Sequence, residues 1–279
     1  MLPELPLGEL LRQVRQRAPL IHSIMNYVTA NDCANVLLAC GASPVMASSP
    51  EEAAEMTAAS DGLYLNLGTL SAGAVAAMLA AGSRARDLGR PVLLDPVGVG
   101  ASRFRREAVR FLLESVPLAA IRGNLSEIKV LAAHACTEKG VDASEADRIT
   151  EENFSAVAAL AGELARRTGA VIAVTGAMDV VCDGLRTVCV RNGHPMMSRI
   201  TGTGCQLSAV MTAFLAANRD CPLEAAVAAV CAVGLCGQTA YARLTGPEGT
   251  GAFRMYLLDA VSRLTPEELE RGAQYEVQS

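Results

Sequence analysis

The chain has 279 residues, of which 51% are hydrophobic, and a formal net charge of −5. That length suits one large α/β domain, and the acidic balance argues against a general nucleic-acid binder, which would show a basic patch. With 4% aromatic residues and no Trp, the apolar part is mostly Ala, Val and Leu, which favours helices packed on buried strands over a base-stacking surface.

The first segment, MLPELPLGELLRQVRQR, places its charges after a short, proline-broken start and lacks the form of a signal peptide. Ser49-Pro50-Glu51-Glu52 has the pattern of a helix start: a hydroxyl cap, Pro in the first turn, then carboxylates near the positive end of the dipole. Strand-like runs follow at Gly62–Asn66, Pro91–Asp95 and Leu118–Ile121, separated by the helix-length stretches Ser71–Leu88 and Arg103–Ser115. This alternation implies βαβ units and a mostly parallel sheet. The charged stretch Thr137–Glu152 reads as a surface loop leading into a helix.

Ala170–Thr175 is a further buried strand. After it, Asp179–Cys182 and Leu185–Val190 flank Asp183-Gly184, a hairpin signal that predicts an antiparallel edge. Helices are expected over Gly204–Ala217, Leu223–Leu244 and within Gly251–Leu264. The longest purely small-apolar run, Ala225–Gly237, is shorter than the roughly 20 residues that span a bilayer. Nine cysteines, an odd count with no C-x-x-C, indicate neither a disulfide framework nor a zinc knuckle. A soluble, cytoplasmic protein of one domain over residues 1–279 is expected, with no membrane or nucleic-acid partner.

In open α/β sheets ligands bind at the carboxyl ends of the strands. Four successive strand ends carry Gly with a polar residue: Asn66-Leu67-Gly68-Thr69, Asp95-Pro96-Val97-Gly98, Arg122-Gly123-Asn124 and Thr175-Gly176. A fifth Gly-rich turn, Thr201-Gly202-Thr203-Gly204-Cys205, opens an apolar helix. Such a turn presents backbone N–H groups and the positive dipole end to an anion, and could hold a transferring phosphoryl group. A plain capping turn is the other reading. Cys205 lies in the first helical turn, where the dipole lowers a thiol pKa, and could accept a proton from a substrate hydroxyl.

Asn124 and Glu127 have capping-box spacing. Functionally, Glu127 could instead hold Mg²⁺, directly or through water, with Asp95 nearby at the neighbouring strand end. Arg122 would then face nucleotide phosphates, with Asn124 and Gly204 beside them.

Seven motifs in order resemble the hydroxyethylthiazole kinases of the ribokinase-like superfamily: PLIHSIMNYV (19–28), GASPVMA (41–47), LNLGTL (65–70), LLDPVGVGAS (93–102), AAIRGNLSEI (119–128), VTG (174–176) and TGTGC (201–205). The resemblance implies a three-layer α/β/α fold with a mostly parallel sheet and an antiparallel edge hairpin. It implies ATP-dependent phosphorylation of 4-methyl-5-(2-hydroxyethyl)thiazole with Mg²⁺, in thiamin salvage. It implies Met46 and Gly202 as substrate contacts, Arg122 and Thr175 as nucleotide contacts, Cys205 as catalytic, and a homotrimer with sites at subunit interfaces. Asn26 is available to the thiazole, whereas Met25 stands where the family has Thr, which bears on the shape of the alcohol pocket. The alternatives are a hydroxymethylpyrimidine or sugar kinase of the same fold, or a nucleotide-binding regulator without catalysis. His22 reads as a core histidine, and His134 and His194 have no constellation around them.

Overall fold

A computed structural model of the chain describes residues 5–135 and 148–278. The first half runs α1 (Leu7–Arg17), β1 (Leu20–Ile24), α2 (Ala30–Cys40), β2 (Ser43–Met46), α3 (Ala53–Ala59), β3 (Gly62–Asn66), α4 (Ala72–Asp87), β4 (Val92–Asp95), α5 (Arg103–Ser115) and β5 (Ala120–Asn124). Then come α6 (Leu125–Ala135), α7 (Phe154–Thr168), β6 (Val171–Thr175), β7 (Asp179–Cys182), β8 (Thr187–Val190), α8 (Thr203–Ala217), α9 (Pro222–Ala242), α10 (Thr250–Arg263), α11 (Pro266–Gly272) and β9 (Tyr275–Gln278).

The strands form one sheet in the order β2-β1-β3-β4-β5-β6-β7-β8-β9. Pairing is parallel from β2 to β6 and antiparallel from there to β9. Because successive side chains alternate faces, the sheet separates two cores. Leu63, Leu65, Val92 and Leu94 meet α3–α7 on one face, while Tyr64 and Leu93 meet α1, α2 and α8–α11 on the other. Strands buried on both faces read as the continuous apolar runs seen in the sequence.

Several expectations shift. The hairpin turn is four residues long, since Cys182 pairs with Thr187; Asp183 Oδ1 accepts from the amides of Leu185 (2.9 Å) and Arg186 (2.7 Å) and builds the turn from its own side chain. That hairpin is not the edge, because β9 pairs outside β8. The helix expected from Ser49 begins at Ala53, and only the Ser49 carbonyl serves it, accepting from the Ala53 amide at 3.0 Å. Ser71, which opens the expected stretch, caps α4 by accepting from the Ala74 amide at 3.1 Å. Helix α9 runs well beyond the apolar run inside it and is long and apolar enough to cross a membrane. It is mostly buried, packed against α8, α10 and the sheet, as a core helix is. The expected loop Thr137–Glu152 lies, as far as residue 147, outside the described residues, as does Cys136.

Candidate active site

Strand register sets the site. Asn66 ends β3 beside Asp95, the last residue of β4, and Asn124 ends β5 beside Thr175, the last residue of β6. Helix α8 packs against β1, β3 and β4, which brings Cys205, its third residue, onto these strand ends. Asn66 Nδ2 lies 3.3 Å from Cys205 Sγ, and Asn26 Nδ2 lies 3.6 Å from it.

Asp95 is fully buried and its two oxygens differ. Oδ2 accepts from Tyr64 Oη (3.0 Å), Asn66 Nδ2 (3.1 Å) and Ser208 Oγ (2.9 Å), with Arg122 Nη1 at 3.8 Å. Oδ1 is buried and has no hydrogen-bond partner among the described residues. Burial raises the Asp95 pKa against the pull of the Arg122 charge. An unpartnered buried carboxylate oxygen calls for an explanation, and here it borders a cleft.

That cleft, of about 330 Å³, is lined by Asn26, Asp95, Arg122, Asn124, Glu127, Gly202, Gly204 and Cys205, together with Val28, Thr29, Gly68, Thr69, Val97 and Thr201. Eight expected site residues therefore share one space. Thr175 stands behind Arg122, whose Nη2 donates to its Oγ1 at 2.5 Å. Met46, at the end of edge strand β2 beside Ser23, lies outside this lining and is partly exposed.

The Gly-rich turn is built for close approach. Gly202 has φ +88°, and a Cβ there would lie 2.5 Å from Thr29 Cγ2, while one on Gly204 would collide with the Arg122 guanidinium. Gly202 caps α8, its carbonyl accepting from the Gln206 amide at 2.8 Å. The amides of Thr203, Gly204 and Cys205 have no intrahelical acceptor and face the start of the helix.

The thiol departs from expectation. Burial, then the Asp95 charge, raises the Cys205 pKa above its ordinary value, against the opposing effects of Thr29, Asn66 and Arg122. Desolvation is the largest cause, and it runs against the direction the helix position suggests.

Glu127 fits both of its readings. Its Oε2 accepts from the Asn124 amide and Asn124 Oδ1 accepts from the Glu127 amide, both at 2.9 Å, a complete capping box. Its Oε1 accepts from the Gly98 amide at 3.0 Å. Burial, then Asp95, raises its pKa. Among the described residues no three His, Cys, Asp or Glu side chains gather into a metal cage. Mg²⁺ needs none, because one or two carboxylates with phosphate oxygens and waters hold it, and the free Asp95 Oδ1 suits that chemistry.

His22 is a satisfied core residue, its Nε2 donating to the Ala47 carbonyl and its Nδ1 facing Thr57 Oγ1, both at 2.8 Å; burial lowers its pKa. His194 accepts from the Met196 amide and stacks on Tyr241, away from the cleft lining. The His134 side chain lies outside the described ones.

Sequence reasoning missed Tyr64, Asn66, Thr29 and Ser208 as individual side chains. Ser208 had a signal: it follows Cys205 by three residues on a helix and so shares its face. Asn66 opened a strand-end loop already marked. Tyr64, inside a buried strand, carried none.

The profile of the hydroxyethylthiazole kinase family matches residues 11–267. The hydroxyethylthiazole kinase of Clostridium acetobutylicum is 50% identical over 270 residues, covering 97% of this chain and 99% of the relative. The solved hydroxyethylthiazole kinase of Pyrococcus horikoshii superposes with a TM-score of 0.87 at 36% identity, covering 98% of this chain and 99% of that one. A ribokinase-like superfamily protein of Enterococcus faecalis shares the fold at a TM-score of 0.54 and 14% identity, covering 89% of each chain. With the fold and nearly the whole sequence in agreement, the chain belongs to the hydroxyethylthiazole kinase family.

Proposed function

We propose that this kinase transfers the γ-phosphoryl group of ATP to the hydroxyl of 4-methyl-5-(2-hydroxyethyl)thiazole, a salvage step toward thiamin, within one domain over residues 1–279 in a reducing, cytoplasmic compartment. The observation that carries this reading is the meeting of Cys205, Asp95 and the Gly202–Gly204 turn that opens α8 in one cleft. Phosphoryl transfer is mostly positioning and charge stabilisation, and each part has its residue. The amides of Thr203, Gly204 and Cys205 take up charge on the transferring group. Arg122, braced by Thr175, and Asn124 face the nucleotide. Asn26 and Gly202 form the alcohol side, which Met46 joins only through the subunit interface proposed below. Cys205 Sγ, which receives N–H donors from Asn26 and Asn66, is placed to take the hydroxyl proton. Mg²⁺, when bound, would be held by Asp95 and Glu127 and would neutralise phosphate charge.

Tyr27, Val28 and Leu38 are exposed apolar residues from the segment between β1 and β2, and Met46 ends β2. Since Val28 also lines the cleft, these residues support a subunit contact beside the site, and the family resemblance makes that assembly a homotrimer with sites at subunit interfaces. Light scattering should then give about three times the 29.1 kDa chain mass; an active monomer overturns the shared pocket.

The deciding experiment offers ATP and Mg²⁺ with the thiazole alcohol, a hydroxymethylpyrimidine and a sugar panel, and identifies products by mass spectrometry. Phosphate on the thiazole alcohol alone supports the proposal. Preference for another alcohol replaces the substrate, and no transfer to any of them points to a regulator.

A further inference from the structure

Arg105 stands in the first turn of α5, where the helix dipole disfavours a cation. Its neighbours in that turn have ordinary roles: Arg103 pairs with Glu107 at 2.7 Å, and Arg106 donates to the Gly100 carbonyl at 2.9 Å. Arg105 forms no salt bridge among the described residues. Its guanidinium turns instead to three backbone carbonyls in two loops. Nη1 donates to Leu67 O and to Val97 O (2.6 Å), and Nη2 donates to Gly68 O. Leu67 and Gly68 follow β3, and Val97 follows β4.

Each loop continues into a different wall of the cleft. Gly68 is packed so tightly against Asn26 that a Cβ on it would lie 2.5 Å from Asn26 Cβ, and its amide donates to Asn66 Oδ1 at 2.9 Å. The residue after Val97 is Gly98, whose amide donates to Glu127 Oε1 at 3.0 Å. One guanidinium therefore spans the alcohol wall and the carboxylate wall, while Arg105 itself does not line the cleft.

We propose that Arg105 is a positioning residue for phosphoryl transfer, its guanidinium tying the loops after β3 and β4 and so setting the spacing between Asn26 and Glu127. This rests on the kinase reading above. The strands carrying the loops are held by their own ladder, so losing the tie loosens the cleft and leaves the fold standing. A planar fork with several donors can serve three carbonyls at once, which an ammonium on a different stem cannot reproduce.

The test uses the full-length protein with Arg105→Ala and Arg105→Lys. Both variants should melt close to wild type yet lose about 10–100-fold in kcat, the scale of a small misplacement of reacting groups, with a raised Mg²⁺ requirement. Methylguanidinium added to Arg105→Ala should restore much of the turnover and lower the Mg²⁺ requirement again, while leaving Cys205→Ala unrescued. Wild-type kinetics in Arg105→Ala overturn the proposal, as does a loss that follows the melting temperature and ignores methylguanidinium. If wild type phosphorylates none of the alcohols offered, the proposed substrate fails, and the tie is read by calorimetry of Mg²⁺–ADP binding. Binding weakened about tenfold in Arg105→Ala and restored by methylguanidinium supports the tie, and unchanged binding overturns it.

Discussion

Asp95 and Glu127, which both line the cleft, are acidic residues at or just beyond strand ends, and they are held in opposite ways. Glu127 gives both oxygens to backbone amides, those of Gly98 and Asn124. Asp95 has three donors on one oxygen and none on the other. A carboxylate with both oxygens engaged can organise a loop and still present lone pairs to a cation. One left half-bonded inside a protein is costly, and that cost is understandable where a ligand completes the set. On the proposed mechanism the difference divides the labour: Glu127 would shape the wall, and Asp95 would hold the reactive end together.

The largest expected effect lies on the Asp95 side. Cys205→Ala should lower turnover by about 10²–10⁴-fold, the usual worth of a positioned base, while nucleotide binding persists. Cys205→Asp should keep substantial activity, because a carboxylate can take the N–H donors of Asn26 and Asn66. Since the thiol is raised in the folded protein and, on the proposed mechanism, its deprotonated form is the acceptor, wild-type turnover should climb with pH between 6 and 9. Turnover measured across that range for all three proteins decides the matter, and full turnover in the Ala variant removes the thiol from the mechanism.

Smaller effects belong to Glu127. Glu127→Gln keeps a capping box, which accepts Gln at that position, but can offer only one oxygen to the two amides. A stability loss of about 1 kcal/mol is expected for the lost acceptor, with a much larger rise in the Mg²⁺ needed for half-maximal rate. If melting and Mg²⁺ titration show the reverse ranking, Glu127 is a capping residue and the contrast with Asp95 collapses.

The ends of β3, β4 and β6 and the start of α8 were legible because buried apolar runs stop there at Gly and a polar residue, a pattern local enough to read. Strand β5 instead runs past its apolar end at Ile121, since Arg122, Gly123 and Asn124 pair with Ala173, Val174 and Thr175. The β1 strand was not. Its middle holds His22 and Ser23, and His22 is satisfied only by Thr57 and Ala47, more than twenty residues away. Strand β9 is half-exposed along its length, with no apolar run to mark it. Within the site, the capping box of Asn124 and Glu127 could be read from spacing alone. The convergence of Tyr64, Asn66 and Ser208 on one Asp95 oxygen depends on strand register and on how α8 crosses the sheet, which no spacing encodes. The raised Cys205 thiol likewise depends on burial, a tertiary quantity, and so opposes what its helix position suggested.

A third buried carboxylate, Asp179 at the start of β7, sharpens the comparison at its weak end. Among the described residues it has neither the crowded oxygen of Asp95 nor the two amides of Glu127, only the Gly176 amide on Oδ1 at 2.8 Å. Its pKa is pushed up to about 7 by burial, against the Gly176 amide and the Arg122 charge. In the unfolded chain an Asp releases its proton near pH 3.9. Between about pH 4 and pH 7 the folded protein thus holds a proton the unfolded chain has already lost. The contribution of Asp179 to stability accordingly falls as pH rises through that window, and the deficit persists above it. Asp179→Asn keeps an oxygen for the Gly176 amide and has no charge to desolvate. Its melting temperature should pull away from wild type as pH goes from 5 to 8, ending about 2–4 °C higher, the shift that about 1 kcal/mol gives in a chain of this size. A gap that stays constant with pH, or a wild type that melts higher at pH 8, would mean that the native carboxylate is ionised and paired, and Asp179 would then belong with Glu127 as a fully engaged acid.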